Sequence, residues 1–305
     1  MGSKPASPPL VSVIITVRNE AARIAPLLDS LLAQAPPFEV VLVDAESRDG
    51  TYEIAQEYAA RHPGVIRVFR KPCSRGMGRN AGVAAARGEY VAFTDGDCFA
   101  DSNWVARIRE GLSIAPVVAG QTVMVGRPSY SRLVRVELFQ SGFDVTYPSC
   151  NLAYDRALFE RLGGFDPRFI TAEDIDLNLR AVRLGASILY RPDATIYHHG
   201  RTTFLRFLYQ AFWNGYGRKQ LTEKHGTLWG RYRIRRLISG QRGPIAWSRL
   251  LAALAGYGAR VVTASDRRLT NEAGSTPANP SPCPRDRAHG PPNGGFSSPS
   301  GGRRP

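Results

Sequence analysis

Two pairs of carboxylates are spaced so that they could do chemistry. Asp95 and Asp97 flank one glycine in FTDGDC (93–98), at the end of the apolar run EYVAF. Residues two apart on an extended chain point to the same face, and negative charges held that close repel unless a cation lies between them. Hard divalent ions such as Mn2+ or Mg2+ choose oxygen ligands of this kind and leave positions open for substrate phosphates. Gly96 lets the backbone turn and a ligand approach closely. The same residues also read as a plain DG turn closing a strand. The second pair, Glu173 and Asp174, lies in TAEDIDLNLRAVRLG. Thr171 stands three residues before Asp174, a capping-box spacing, and acids in a first helical turn suit the helix dipole. His198 and His199, in TIYHHG, could complete a metal site, touch a diphosphate, or simply close a strand at the surface.

The elements that must position these groups alternate strand and helix. VSVIITV is followed by a helical pattern at Ile24, Leu27, Leu28, Leu31 and Leu32. VVLVD is followed by a helix from Thr51 to about Arg61, VIRVF by a helix near residues 78–86, and then comes YVAFTD. Such alternation predicts an α/β fold, a mostly parallel sheet with helices on both faces. Ligands of these sheets bind beyond the carboxyl ends of the strands, which places Arg18, Asn19, Glu20, Asp44 and the DGD on one rim. GMGRNAG (76–82) is glycine-rich, but a dinucleotide fingerprint belongs directly after the first strand, where this chain has VRNE. Gly76 and Gly78 are expected to permit a tight loop before the helix. A further helix opens near Thr171. In FLRFLYQAFWNGYGRKQL, Phe204, Phe207, Leu208, Ala211 and Phe212 form one helical face, and Arg206, Gln210, Asn214 and Arg218 another. That pattern suits a helix packed on its own domain, or one lying at an interface with arginines on anionic headgroups.

The chain has 305 residues, 43% of them hydrophobic, enough for a full core. Its formal charge of +14 is concentrated in residues 201–242. A basic nucleic-acid or acidic-polymer binding module would explain that charge but leaves the acid pairs unexplained, so no nucleic-acid partner is expected. The four cysteines show no CxxC spacing, which argues against zinc and against a disulfide framework and fits a reducing compartment. The N-terminus lacks the apolar stretch of a signal peptide, and residues 245–262 are interrupted by Arg249, Gly256 and Gly258. A membrane, if met, is expected to be met at its surface. Residues 1–9 are expected to be flexible and 267–305, rich in Pro, Gly and Ser, to form a disordered tail.

VSVIITVRNE, VVLVDAESRDGT and SRGMGRNAGVAAARGEYVAFTDGD together resemble the nucleotide-sugar-binding half of glycosyltransferase family 2, whose members have the GT-A fold. SCNLAYDRALFERLGGFDPRFITAEDIDLNLRAVRLG and the segment through GYGRKQL resemble the acceptor half, and are most similar to bacterial exopolysaccharide transferases of the succinoglycan type. The resemblance covers residues 10–222. It implies a nucleotide-sugar-binding half at 10–113 and an acceptor-binding and catalytic half at 114–222, followed by a basic, partly helical, membrane-surface region at 223–266. It implies nucleotide-sugar contacts by Thr16, Val17, Arg18, Glu20, Asp44, Arg79, Asp95, Gly96 and Arg218. Asp95 and Asp97 become the metal-binding DxD motif for Mn2+ or Mg2+, with His198 and His199 as further candidate ligands. Asp174 becomes the catalytic base and Glu173 its neighbour. One departure is Asp44-Ala45, where many relatives carry two aspartates; Glu46 could compensate. The implied activity is metal-dependent, inverting transfer of a sugar from a nucleotide diphosphate donor, expected to be a UDP-sugar, to a hydroxyl of a saccharide or lipid-linked acceptor. A cytoplasmic protein, peripheral on the cytoplasmic membrane face, is the expected setting. A nucleotidyltransferase on a similar fold would show a basic, glycine-rich signature soon after the first strand, and VRNE is not one.

Overall fold

The computed structural model describes residues 10–126, 136–200, 203–228, 232 and 243–273, with 264–273 described by backbone alone. Strands β1 (Val11–Val17), β2 (Phe38–Asp44), β3 (Ile66–Arg70) and β4 (Tyr90–Asp95) pair in parallel in the order β3-β2-β1-β4. Helices α1 (Ala21–Leu32), α2 (Thr51–Arg61) and α3 (Arg75–Ala85) make the crossovers. Beyond β4 the sheet continues with β9 (Leu152–Asp155), β6 (Val117–Val125), β10 (Ile188–His199) and β5 (Cys98–Ala100), in that spatial order. Here β4–β9, β9–β6 and β10–β5 are antiparallel and β6–β10 parallel. A two-stranded ribbon of β7 (Phe139–Gln140) and β8 (Phe143–Asp144) stands apart from this sheet. The remaining helices are α4 (Trp104–Leu112), α5 (Arg156–Arg161), α6 (Glu173–Arg183), α7 (Phe204–His225) and α8 (Pro244–Ala273).

The β1 and β2 residues are buried nearly throughout, as expected for central strands covered on both faces. One apolar layer gathers Ile24, Leu27, Leu28 and Leu31 of α1 with Trp104 and Ile108 of α4. The other gathers Val83, Phe93, Phe159, Phe165 and the inward face of α6. Each fully buried aliphatic side chain contributes about 1.5–3 kcal/mol. Trp104 donates from Nε1 to Asn151 Oδ1 at 2.8 Å, and Asn151 Nδ2 donates to the carbonyls of Gln121 and Ala194. One buried amide thereby joins α4, β6 and β10 beneath the antiparallel half of the sheet.

The glycines of GMGRNAG lie within α3, whose N-cap is Ser74, not in a loop before it. A Cβ on Gly78 would collide with Thr16, and one on Gly82 with Ile14. The glycines therefore let α3 lie unusually close to β1. Close approach recurs where α7 crosses α8. A Cβ on Gly215 would strike the Ala253 carbonyl, and one on Gly256 the Phe212 carbonyl. Helix α8 continues past the expected boundary at Asp266 to Ala273. Residues 1–9, 274–305 and most of the basic run at 229–242 lie outside the described residues. Among the described residues, no helix is long and apolar enough to cross a membrane.

Candidate active site

A cavity of about 750 Å³ opens at the carboxyl ends of β1 and β4. Thr16, Val17, Arg18 and Glu20 line one side, where β1 runs out into the loop before α1. Asp95, Gly96 and Asp97 line the floor between β4 and β5, and Glu173 and Asp174 face in from the first turn of α6. Gln210, Asn214 and Arg218 close the cavity from α7, and Arg249, Leu250, Leu254 and Tyr257 from α8. Of the two faces expected for α7, the polar one supplies Gln210, Asn214 and Arg218 to the cavity, and Ala211 of the apolar one lies beside them. Asn19, Glu46 and Ala172 have φ near +60° (58°, 58° and 64°), all in the loops that feed this rim. Strained non-glycine backbone gathers where side chains must be aimed. A Cβ on Gly96 would press Val17 and Glu20, so the DGD glycine serves close approach to β1.

The acid pairs meet through Arg79. Its guanidinium is fully buried, donating from Nη2 to Asp95 Oδ1 at 2.6 Å and from Nη1 to Glu173 Oε1 at 2.9 Å. Burial would raise the Asp95 carboxyl, but the guanidiniums of Arg79 and Arg75, with His198, outweigh it and hold it down at about 2. Asp174 has no such neighbour bonded to it. Its carboxylate accepts from the backbone N–H of Ser149 at 3.1 Å and of Ile175 at 2.8 Å. Burial, reinforced by the charge of Glu173, pushes it up to about 6. The capping-box account of this pair does not hold. Ala172 is the N-cap in a left-handed conformation and no side chain caps the helix.

His198 and His199 part company because successive strand residues face opposite ways. His198 lines the cavity, with Nε2 3.1 Å from Asp97 Oδ1. Burial would lower its imidazole, yet the hydrogen bond it donates to Asp97 and the surrounding acids raise it to about 9. His199 is absent from the cavity wall and sets its ring 5.9 Å from that of Phe99. As a candidate metal ligand it is corrected. Two other expected contacts also lie off the wall. Asp44 is fully buried and accepts from Ser47 N at 3.1 Å, with Arg70 Nε at 3.4 Å, so it caps the strand-end turn. Arg79 lies behind the acids, not facing a nucleotide. Arg218 does line the cavity, braced by the Val136 carbonyl and the Tyr232 hydroxyl.

Sequence reasoning missed several wall residues, among them Cys73, Ser74, Arg75, Ser149 and Cys150. Ser74 was legible as a helix N-cap. Arg75, next to it, raises the positive potential over Asp95. Cys98 and Cys150 are both buried in the same apolar layer. Their separation in sequence concealed a proximity that only the fold creates.

Oxygen-rich and open to the cavity, Asp95 and Asp97 with His198 suit a divalent cation, and the orphaned, buried Nδ1 of His198 marks a polar site not fully satisfied by protein. Residues 12–163 match Glycosyl transferase family 2. Glycosyltransferase AglE of Haloferax volcanii is 29% identical over 70% of this chain and 74% of its own length. Probable glycosyltransferase YdaM of Bacillus subtilis is 28% identical over 61% of this chain and half of its own. Among solved structures, TarS 1-349 of S. aureus in complex with UDP is 26% identical, with a TM-score of 0.51 over 67% of this chain and 63% of that one. Mannosyltransferase PcManGT of Pyrobaculum calidifontis, in complex with GDP-Man and Mn2+, is 22% identical with a TM-score of 0.59 over 90% of this chain and 79% of its own. Fold, cavity and acid pairs lead to one conclusion: the chain has the GT-A fold and is an enzyme of glycosyltransferase family 2.

Proposed function

We propose that the chain is a divalent-metal-dependent, inverting glycosyltransferase that moves a sugar from a nucleotide diphosphate, a UDP-sugar, to a hydroxyl of a saccharide or lipid-linked acceptor in polysaccharide or glycan assembly. The observation that carries this reading is the pair of acid sites on one cavity, one held ionised by arginine and the other raised into the range of a working base. UDP bound to TarS and GDP-Man with Mn2+ bound to PcManGT support the donor class and the ion.

Thr16, Val17, Arg18 and Glu20 form the wall that receives the nucleotide, and Arg75 and Arg218 stand where a diphosphate would lie. Asp97 and His198, with Asp95 beside them, would hold Mn2+ or Mg2+. When bound, such an ion balances the charge of the diphosphate and of the leaving group. Asp174 serves the opposite side. Each of its oxygens keeps a lone pair beyond the one used by a backbone N–H, so one can take the acceptor hydroxyl proton. As that proton leaves, the hydroxyl oxygen bonds to C1 of the sugar, and the bond from C1 to the diphosphate oxygen breaks with its electron pair going to the diphosphate. A single displacement inverts the anomeric centre. Glu173, bonded to Arg79, stays in place to orient the acceptor side.

A lipid-linked acceptor is supported by the apolar rim. Leu254 lines the cavity and is itself exposed, and Trp247 and Leu251, exposed at helical spacing before it, share its face of α8. An anionic membrane surface on the cytoplasmic face would suit that rim and the cations beside it. Free thiols at Cys73, Cys98 and Cys150 fit a reducing compartment. The deciding experiment measures UDP binding by calorimetry with Mn2+ and with chelator, beside transfer from UDP-sugars. Asp97→Asn abolishes metal-dependent UDP binding. Asp174→Asn keeps UDP affinity within a few-fold and lowers transfer by about 100- to 10,000-fold. Equal loss of nucleotide affinity in both variants would sink the division of roles.

A further inference from the structure

The residue after the DxD motif is a cysteine, and the fold turns it toward the same ligands. Cys98 pairs with His198 across the antiparallel β5–β10 ladder, which sets their side chains on one face of the sheet. A carboxylate oxygen of Asp97, Sγ of Cys98 and a ring nitrogen of His198 lie within 4.8 Å of one another. Cys150 lines the cavity beside Asp97 and His198 and is buried in the same apolar layer as Cys98. The Nδ1 atom of His198 is buried and makes no hydrogen bond. Oxygen, imidazole nitrogen and a thiol within 4.8 Å of one another are not the donor set that hard ions select. They match borderline-soft ions, which take sulfur and nitrogen in tetrahedral sites.

We propose that Asp97, Cys98 and His198, completed by Cys150, form a thiolate-containing site for a zinc-class divalent ion, and that this site shares two of its ligands with the site for the hard ion. Binding releases the thiol protons to solvent as sulfur–metal bonds form. An ion seated there draws Asp97 and His198 toward the sulfurs and away from the cavity, so zinc-class ions displace Mn2+ and inhibit. Among first-row divalent ions Mn2+ binds most weakly and Zn2+ well above it, so excess Mn2+ reverses the inhibition poorly. The inference shares Asp97 and His198 with the functional reading above. Its test reads sulfur coordination, which an ion held by Asp95, Asp97 and a diphosphate does not produce.

The test uses the full chain, reduced and stripped of metal, titrated with Co2+ as a spectroscopic probe. The expected result is a near-ultraviolet thiolate-to-cobalt charge-transfer band that saturates stoichiometrically, is lost on adding equimolar Zn2+, and persists in excess Mg2+. Cys98→Ser loses the band, whereas Cys73→Ser, which removes a cavity thiol outside the proposed ligand set, retains it. Alkylation mapped by mass spectrometry on the wild-type chain provides a readout that needs no variant, with Zn2+ protecting Cys98 and Cys150 and Mg2+ protecting neither. Cobalt binding without the charge-transfer band, a band that survives Cys98→Ser, or alkylation of Cys98 indifferent to Zn2+ would each overturn the proposal. Metal-dependent UDP binding would stand unaffected by any of these results.

Discussion

Asp95 and Asp174 are the same side chain on the same cavity, and their surroundings drive them in opposite directions. Asp95 ends a parallel strand and meets a buried guanidinium at 2.6 Å, which holds it near 2. Asp174 begins a helix and meets only backbone N–H groups and a like charge, which lift it to about 6. A permanently ionised acid suits a cation and a diphosphate. A proton acceptor at neutral pH needs a higher affinity for its proton. Arg79 makes the difference, because it bonds Asp95 and Glu173 but not Asp174.

Removing Arg79 should break the contrast most severely. Arg79→Met strands Asp95 and Glu173 without their cation, and the expected loss is about 3–5 kcal/mol in chemical denaturation. A loss well under 1 kcal/mol would show that water replaces the guanidinium and that the contrast has another origin. A less severe perturbation enters from the helices. Gly256→Ala pushes α8 off the Phe212 carbonyl and is expected to cost about 1–3 kcal/mol, with donor binding unchanged and acceptor use impaired. Unaltered melting would show that the crossing gives way freely.

The pH dependence sharpens the comparison without mutation. Asp174 must be ionised to take a proton, so transfer rises with pH through about 6 and at pH 5 stands about tenfold below its plateau. UDP binding, which calls on Asp95, shows no such step in that range. Stability moves the other way. The folded carboxyl is raised above its unfolded value of 3.8, so the folded state binds more protons between the two values, and the stability this contributes at low pH is lost as pH rises through about 6. Asp174→Asn should therefore raise the melting temperature at pH 8 more than at pH 4. The smallest effect is expected at the rim, where Leu251→Ser and Leu254→Ser together weaken binding to anionic vesicles several-fold and leave transfer to a soluble acceptor intact. Undiminished vesicle binding would separate the apolar rim from any membrane role.

Much of the fold was legible because apolar periodicity is local. The helix expected from Thr51 to Arg61 is α2, VSVIITV is β1, and VVLVD is β2, which begins two residues earlier at Phe38. The GMGRNAG segment was misplaced for a physical reason. A helix tolerates glycine where a neighbouring strand demands the space, and Thr16 and Ile14 are distant in sequence. Asp44 read as a nucleotide contact by resemblance, and the structure adds that it is buried and accepts from the Ser47 N–H, the cap that its place at a strand end allows. His198 and His199 were indistinguishable as a dipeptide, since only strand register decides which of two neighbours faces the cavity.

The sequence by itself determined the parallel sheet, the rim on which ligands bind, and the two acid pairs, because each is written in contiguous residues whose periodicity and charge act over a few positions. Tertiary structure alone decided that Arg79 joins the pairs, that Asp174 is left without a bonded cation, and that Cys98 meets Asp97 and His198. Those outcomes depend on burial and on the long-range register of β5, β9 and β10, and the field at a carboxylate is set by whatever the fold brings within a few ångströms of it.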